Sequence, residues 1–155
     1  MTPETFKRLM APVTEAIAGK AVDQALATVL NETFPYGGAA FKEIEAACHQ
    51  AIDAGWMCAE GGAGRRYGRV IKPEPGTHDL SVDVVQIENF VGPHHEHPNG
   101  EICMIMPENE GATFDGMGGG WCVNEPGSAH YPTVDGGSAL VLYLLPGGKI
   151  WFTGR

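Results

Sequence analysis

His95-Glu96-His97-Pro98-Asn99-Gly100-Glu101 places two imidazoles and two carboxylates within seven residues, and Pro126-Gly127-Ser128-Ala129-His130 supplies a third imidazole farther along the chain. On a strand, residues i and i+2 point to the same face. His95 and His97 therefore present their rings together, and a turn at Pro98-Asn99-Gly100 lets Glu101 re-enter beside them. His130, after its own Pro-Gly turn, can arrive from a neighbouring strand. Three ring nitrogens and one carboxylate oxygen suit a divalent transition metal, with positions left for water or substrate. His95, His97, Glu101 and His130 are thus the candidate metal ligands and the candidate catalytic group. A hydrogen-bonded polar cluster without metal is the plainer reading, but four ligand-type residues at this spacing favour the ion.

These residues need a scaffold of short strands. After Gly61-Gly62 the chain reads as strands at Tyr67 to Lys72, Leu80 to Phe90, Glu101 to Met106, Ala112 to Phe114, Gly120 to Asn124, Ser138 to Leu145 and Ile150 to Thr153, separated by Gly, Pro and Asn turns. No helix-length crossover separates them, so the sheets should be antiparallel, in a sandwich or barrel. The first third is helical in pattern. Thr2 is a candidate N-cap with Pro3 at the first helical position. Phe6, Leu9, Met10, Val13 and Ile17 then recur at helical spacing up to Gly19. A second helix spans Ala21 to Phe34, and a third Phe41 to Ala54, ending at Gly55. The expected organisation is one compact domain in which helices of residues 1–58 pack on a β-barrel of residues 59–155.

The strand from Glu101 is apolar on both faces, with Cys103 and Ile105 on one side and Ile102, Met104 and Met106 on the other. Both sides must therefore be covered, by the helices or by a second subunit, and a homodimer is the expectation. His94 and Glu96 have the parity opposite to His95, so His94 should face outward or support the site from behind, and Glu96 should be solvated. His49 and His78 read as structural or surface residues. Cys103 reads as a small buried hydrophobe near the site. Arg65, Arg66, Arg69 and Lys72 form a basic cluster. They are either solvated charges on an edge strand or a carboxylate clamp, with Arg69 the better clamp because it lies inside its strand. Phe114, Trp121, Tyr131 and Tyr143 are core-forming by default, and Trp121 and Tyr131 are candidates for the flat wall that an aromatic substrate needs.

The net charge of −9 argues against nucleic acid or an anionic membrane as partner, because both reward a basic surface. A small anionic substrate needs only a local cation. Cys48, Cys58, Cys103 and Cys122 contain no CxxC pair and no disulfide-framework spacing. The first residues lack the apolar core of a signal peptide, and no run approaches membrane-span length. A cytoplasmic protein with reduced thiols is the expectation.

His95-x-His97-x3-Glu101, with Gly120-x5-Pro126 and Gly127-x2-His130, resembles the two signature motifs of the cupin superfamily. The glycine usual at the start of the first motif is absent, and Val134 stands where an asparagine is common, but all four ligand positions are kept. Several segments are similar to one family of small cupin-like proteins, the 4-hydroxylaminobenzoate lyases. These are Gly68-Arg69-Val70-Ile71-Lys72-Pro73, Ser81 to Val85, Gly92 to Ile102, Phe114-Asp115-Gly116, Gly120-Trp121, Pro126 to His130, and Leu142 to Gly148. The resemblance implies a mainly β cupin jelly-roll barrel with an N-terminal helical segment. It also implies conversion of 4-hydroxylaminobenzoate to 3,4-dihydroxybenzoate and ammonia, in the degradation of nitroaromatic compounds. The metal would be iron, manganese, nickel or zinc on His95, His97, Glu101 and His130, and an arginine, Arg69 first, would take the carboxylate of the small aromatic substrate. Two other readings are compatible with the residues. One is an Fe(II) cupin dioxygenase acting on a small aromatic or thiol substrate. The other is a non-enzymatic small-molecule-binding cupin.

Overall fold

The computed structural model describes residues 1–155. Helices α1 (Pro3–Ile17), α2 (Gln24–Thr33) and α3 (Ala39–Asp53) come first. Ten strands follow: β1 (Glu60–Gly62), β2 (Arg65–Ile71), β3 (Leu80–Val91), β4 (His95–His97), β5 (Glu101–Pro107), β6 (Thr113–Phe114), β7 (Gly120–Asn124), β8 (Ser128–His130), β9 (Thr133–Pro146) and β10 (Trp151–Phe152). Thr2 caps α1, its hydroxyl accepting from the Thr5 amide, and Pro3 opens the helix as expected. The second helix starts at Gln24 rather than Ala21, because Asp23 adopts extended backbone and its carboxylate accepts from the Leu26 amide. That bond satisfies one of the amides a helix start leaves free. No helix is long and apolar enough to cross a membrane.

The strands form two facing antiparallel sheets rather than one continuously bonded barrel. The larger runs β1-β2-β3-β9-β5-β7, with β6 also on β9, and the smaller runs β10-β4-β8. This is the jelly-roll cupin arrangement that the motifs imply. Its register fixes what faces the interior. Arg69 stands opposite Asp83, Asp83 opposite Tyr143, Tyr143 opposite Cys103, and Cys103 opposite Cys122. The neighbouring inward row is Tyr67, Val85, Val141, Ile105 and Gly120. Val85, Ile87, Cys103, Ile105, Phe114 and Val141 belong to the inner core. The alternate residues of the same strands, among them Val84, Ile102, Met104, Met106 and Leu142, pack against Phe6, Met10, Leu30 and Phe41 of the helices. Both apolar faces of β5 are therefore buried within one chain, with the helices covering the outer one.

The free edge of β7 is closed by side chains of α2. Asn31 donates to the Trp121 carbonyl (2.9 Å) and accepts from the Trp121 amide (3.0 Å), while Gln24 donates to the Val123 carbonyl (3.1 Å). Backbone groups of an edge strand that would otherwise invite another chain are satisfied in this way.

Candidate metal centre

Two turns meet on one carbonyl to build the site. The amides of Gly100 and Gly127 both donate to the carbonyl of His97, at 3.1 and 2.8 Å, so the turn after β4 and the turn before β8 are tied to the same residue. Gly100 has φ +84°, and a Cβ there would meet Val22 Cγ1 at 2.6 Å and the Asn124 carbonyl at 3.0 Å. Only glycine fits that reversal, which starts β5 at Glu101. Pairing of β4 with β8 sets His130 directly opposite His95.

The four side chains converge as the spacing led us to expect. His95 Nε2 lies 2.9 Å from His130 Nε2, and His97 Nε2 lies 3.1 Å from the same atom. Glu101 Oε1 is 3.5 Å from His97 Nε2 and 3.9 Å from His130 Nε2. One donor atom from each residue lies within 4.8 Å of all the others, and the group could hold a metal ion. His95, His97 and Glu101 are buried, and His130 is the most accessible of the four.

Hydrogen bonds behind the rings show that the donor set fits such an ion. The Pro93 carbonyl, which can only accept, lies 3.1 Å from His95 Nδ1, so that nitrogen carries the proton and Nε2 is bare in the neutral ring. Asp115 Oδ2 sits 2.6 Å from His130 Nδ1 and has the same effect there. Two lone pairs 2.9 Å apart repel unless a proton on one ring or a metal ion lies between them. Nitrogens bound about 2.0–2.1 Å from one tetrahedral ion would sit about 3.3 Å apart, a few tenths of an ångström more than in this structure. Burial, aided by the neighbouring imidazoles, pushes His95 down to about 4 and His97 down to about 3, so both rings are neutral at neutral pH. For His130 burial also works downward, but the bond to Asp115 and the charge of Glu101 outweigh it and raise its pKa. His97 Nδ1 is buried without a partner, so this ring is held by packing and by its Nε2 contacts. Burial raises the Glu101 carboxyl despite hydrogen bonds from Cys103 Sγ and Asn124 Nδ2, each 2.9 Å from Oε1.

The centre opens into an inner chamber of about 30 Å³ lined by His95, Glu101, His130, Arg65 and Tyr143 with apolar Val85, Ile87, Phe114, Val141 and Phe152. A wider vestibule of about 480 Å³ adjoins it and adds Glu60, Tyr67, Arg69 and Asp83. Arg65, Tyr143, Ile150 and Phe152 line both and so mark the boundary.

The residues expected to bind substrate are dispersed. Arg69 lines the vestibule, but its Nε bonds Asp83 Oδ1 at 3.0 Å and its Nη2 donates to the Gly148 carbonyl. Trp121 pairs with Met104 on the helix-facing side of β7, and its indole donates to the Phe34 carbonyl (2.9 Å). It forms no part of the cavity. Tyr131 is 46 % exposed, stacks near His94, and lines an outer depression that meets the vestibule at Arg65, Tyr67 and Pro93; it is not part of the chamber around the quartet. His94 points away from the quartet, its Nδ1 bonded to Thr153 Oγ1. Arg69→Ala should act on stability, because it strands the nearly buried Asp83 carboxylate. A loss of about 1–3 kcal/mol is expected in urea unfolding, largely recovered by adding Asp83→Asn.

Asp115, Asn124 and Cys103 hydrogen-bond the quartet from behind, and spacing alone gave no sign of the first two. Asp115 sits in a Phe-Asp-Gly turn with φ +49°, a conformation aspartate tolerates better than most residues. Only the fold brings it to His130.

The family model described as PnbB, 4-hydroxylaminobenzoate lyase, matches residues 8–152. The 4-hydroxylaminobenzoate lyase of Nocardioides sp. (strain LMS-CY) is 30% identical over 158 residues, covering 96% of this chain and 94% of that protein. The one from Pseudomonas putida is 30% identical over 138 residues, covering 78% of each. Among solved structures, the DMSP lyase DddQ of Ruegeria pomeroyi DSS-3 is similar with a TM-score of 0.48 at 18% identity over 98% of both chains. An RmlC-like cupin protein of Ralstonia eutropha JMP134 has a TM-score of 0.43 at 13% identity, over 57% of this chain and 60% of that one.

Proposed function

The chain belongs to the 4-hydroxylaminobenzoate lyase family, and from that premise we propose that it converts 4-hydroxylaminobenzoate to 3,4-dihydroxybenzoate and ammonia, with a divalent transition metal on His95, His97, Glu101 and His130. The observation that carries this reading is the convergence of those four donor atoms within 4.8 Å, three of the four residues lining a largely apolar chamber.

The reaction takes up one water and releases one ammonia. The N–O, C–N and ring C3–H bonds break, two C–O bonds form, and the C3 hydrogen leaves as a proton taken up in forming ammonia; the ring is oxidised at the expense of the N–O bond, so no external electron donor or acceptor is needed. When bound, the metal supplies Lewis acidity beside the hydroxylamino group. The remaining tasks fall to side chains. A chamber of about 30 Å³ admits a water or a hydroxylamino group, since one water needs about 10–15 Å³ on this measure, but not a benzene ring. The ring must therefore rest farther out, against Tyr143, Ile150 and Phe152. Val85, Ile87 and Val141 limit the water that reaches the reacting carbons. Tyr143 is kept protonated by burial and offers its hydroxyl as a hydrogen-bond donor to the departing oxygen.

The test is elemental analysis of the purified protein alongside turnover of 4-hydroxylaminobenzoate, followed as 3,4-dihydroxybenzoate and ammonia in equal amounts. Rates should be the same with and without oxygen. Oxygen consumption, or no ammonia from metal-replete protein, would overturn the assignment.

A further inference from the structure

One strong cation lies on the wall of the chamber that holds the quartet. Among the lining residues Arg65 is the sole lysine or arginine. The vestibule adds Arg69, whose charge is already met by Asp83 at 3.0 Å. Arg65 takes part in no ion pair, although the chain carries a net charge of −9 and acids are plentiful. Its guanidinium carbon sits 4.2 Å from the centroid of the Tyr67 ring. Stacking of this kind fixes the plane of the group while leaving its N–H edge free for a planar anion. Antiparallel pairing places Arg65 opposite Ile87 and Tyr67 opposite Val85, so both share the inward face with the apolar wall.

We propose that Arg65 anchors the substrate's carboxylate and thereby selects benzoates carrying the reacting nitrogen in the para position. The inference rests on the reaction proposed above. A para-substituted benzoate is a rigid rod with its polar groups at opposite ends. With the nitrogen at the quartet and the ring at the chamber boundary, the carboxylate must leave through the vestibule, which Arg65 also lines. A forked pair of charge-assisted hydrogen bonds there is strong and directional. An ortho isomer would point its carboxylate back into the apolar wall instead.

The test uses calorimetric binding of 4-aminobenzoate and the uncharged 4-aminobenzamide to the parent, Arg65→Gln and Arg65→Lys. Loss of the fork should weaken 4-aminobenzoate by about 10- to 100-fold in Arg65→Gln and by less in Arg65→Lys, with the benzamide unaffected. An equal loss for both compounds would assign Arg65 a packing role and overturn the proposal, as would no change or a parent that binds neither. Steady-state kinetics with 4-hydroxylaminobenzoate separates this from the reaction itself. Carboxylate binding that depends on Arg65 without turnover would sink the lyase assignment alone, whereas turnover with an unchanged KM in Arg65→Gln would sink the anchor alone.

Discussion

Replacing His97 with alanine is expected to remove bound metal and turnover together. The ring is fully buried on β4, with Nε2 at 3.1 Å from His130 Nε2 and 3.5 Å from Glu101 Oε1. No other side chain of the chamber wall is placed to supply a substitute nitrogen. His94 is turned toward Thr153, and His49 lies on the third helix beside Glu108. Loss of a partner behind a ligand commonly costs roughly 10–100-fold in metal affinity or activity, and loss of a ligand itself should cost more. Two measurements check this without relying on rate alone. Elemental analysis should find metal in the parent and not in His97→Ala. Added metal at 100 times its Kd should stabilise the parent by about 2.7 kcal/mol and leave the variant's unfolding midpoint where it was. A variant that turned over substrate while free of metal would refute the role given to the quartet.

The quartet was legible because its grammar is local. A period of two aligned His95 with His97, one glycine turn returned the chain at Glu101, and His130 followed a turn of its own. What surrounds the quartet depends on register, which no single segment contains. Trp121 reads as a flat wall for an aromatic ring, yet Met104 stands opposite it, and that pairing sends the indole toward the helices. Arg69 and Arg65 share a face of β2 and are equal by parity. Only the pairing with β3 shows that Asp83 occupies the first and leaves the second free. The start of α2 was in principle readable, since Asp23 is a strong capping residue. The three-residue β1, by contrast, is too short for any periodicity to announce.

Asp115→Asn is expected to lower metal affinity by about 10–100-fold while leaving the fold intact. The carboxylate serves two donors at once: Oδ2 faces His130 Nδ1 at 2.6 Å and Oδ1 accepts from the Thr133 amide at 2.9 Å. Asparagine keeps the size and the tolerance for the left-handed turn but has one acceptor in place of two. If its oxygen faces His130, its amide group opposes the Thr133 N–H, donor against donor. If it is flipped, an N–H points at His130 Nδ1 and favours the tautomer with the proton on Nε2, which withdraws the lone pair from the centre. Either orientation weakens His130 as a ligand through a group that never touches the metal. The ring nitrogens of His130 distinguish this from a general loss of packing. Nitrogen-15 chemical shifts should show Nδ1 protonated in the parent and a mixed or inverted tautomer in the variant, alongside weaker metal in a competition titration. An unchanged His130 tautomer together with unchanged metal affinity would show that Asp115 serves only the turn that carries it.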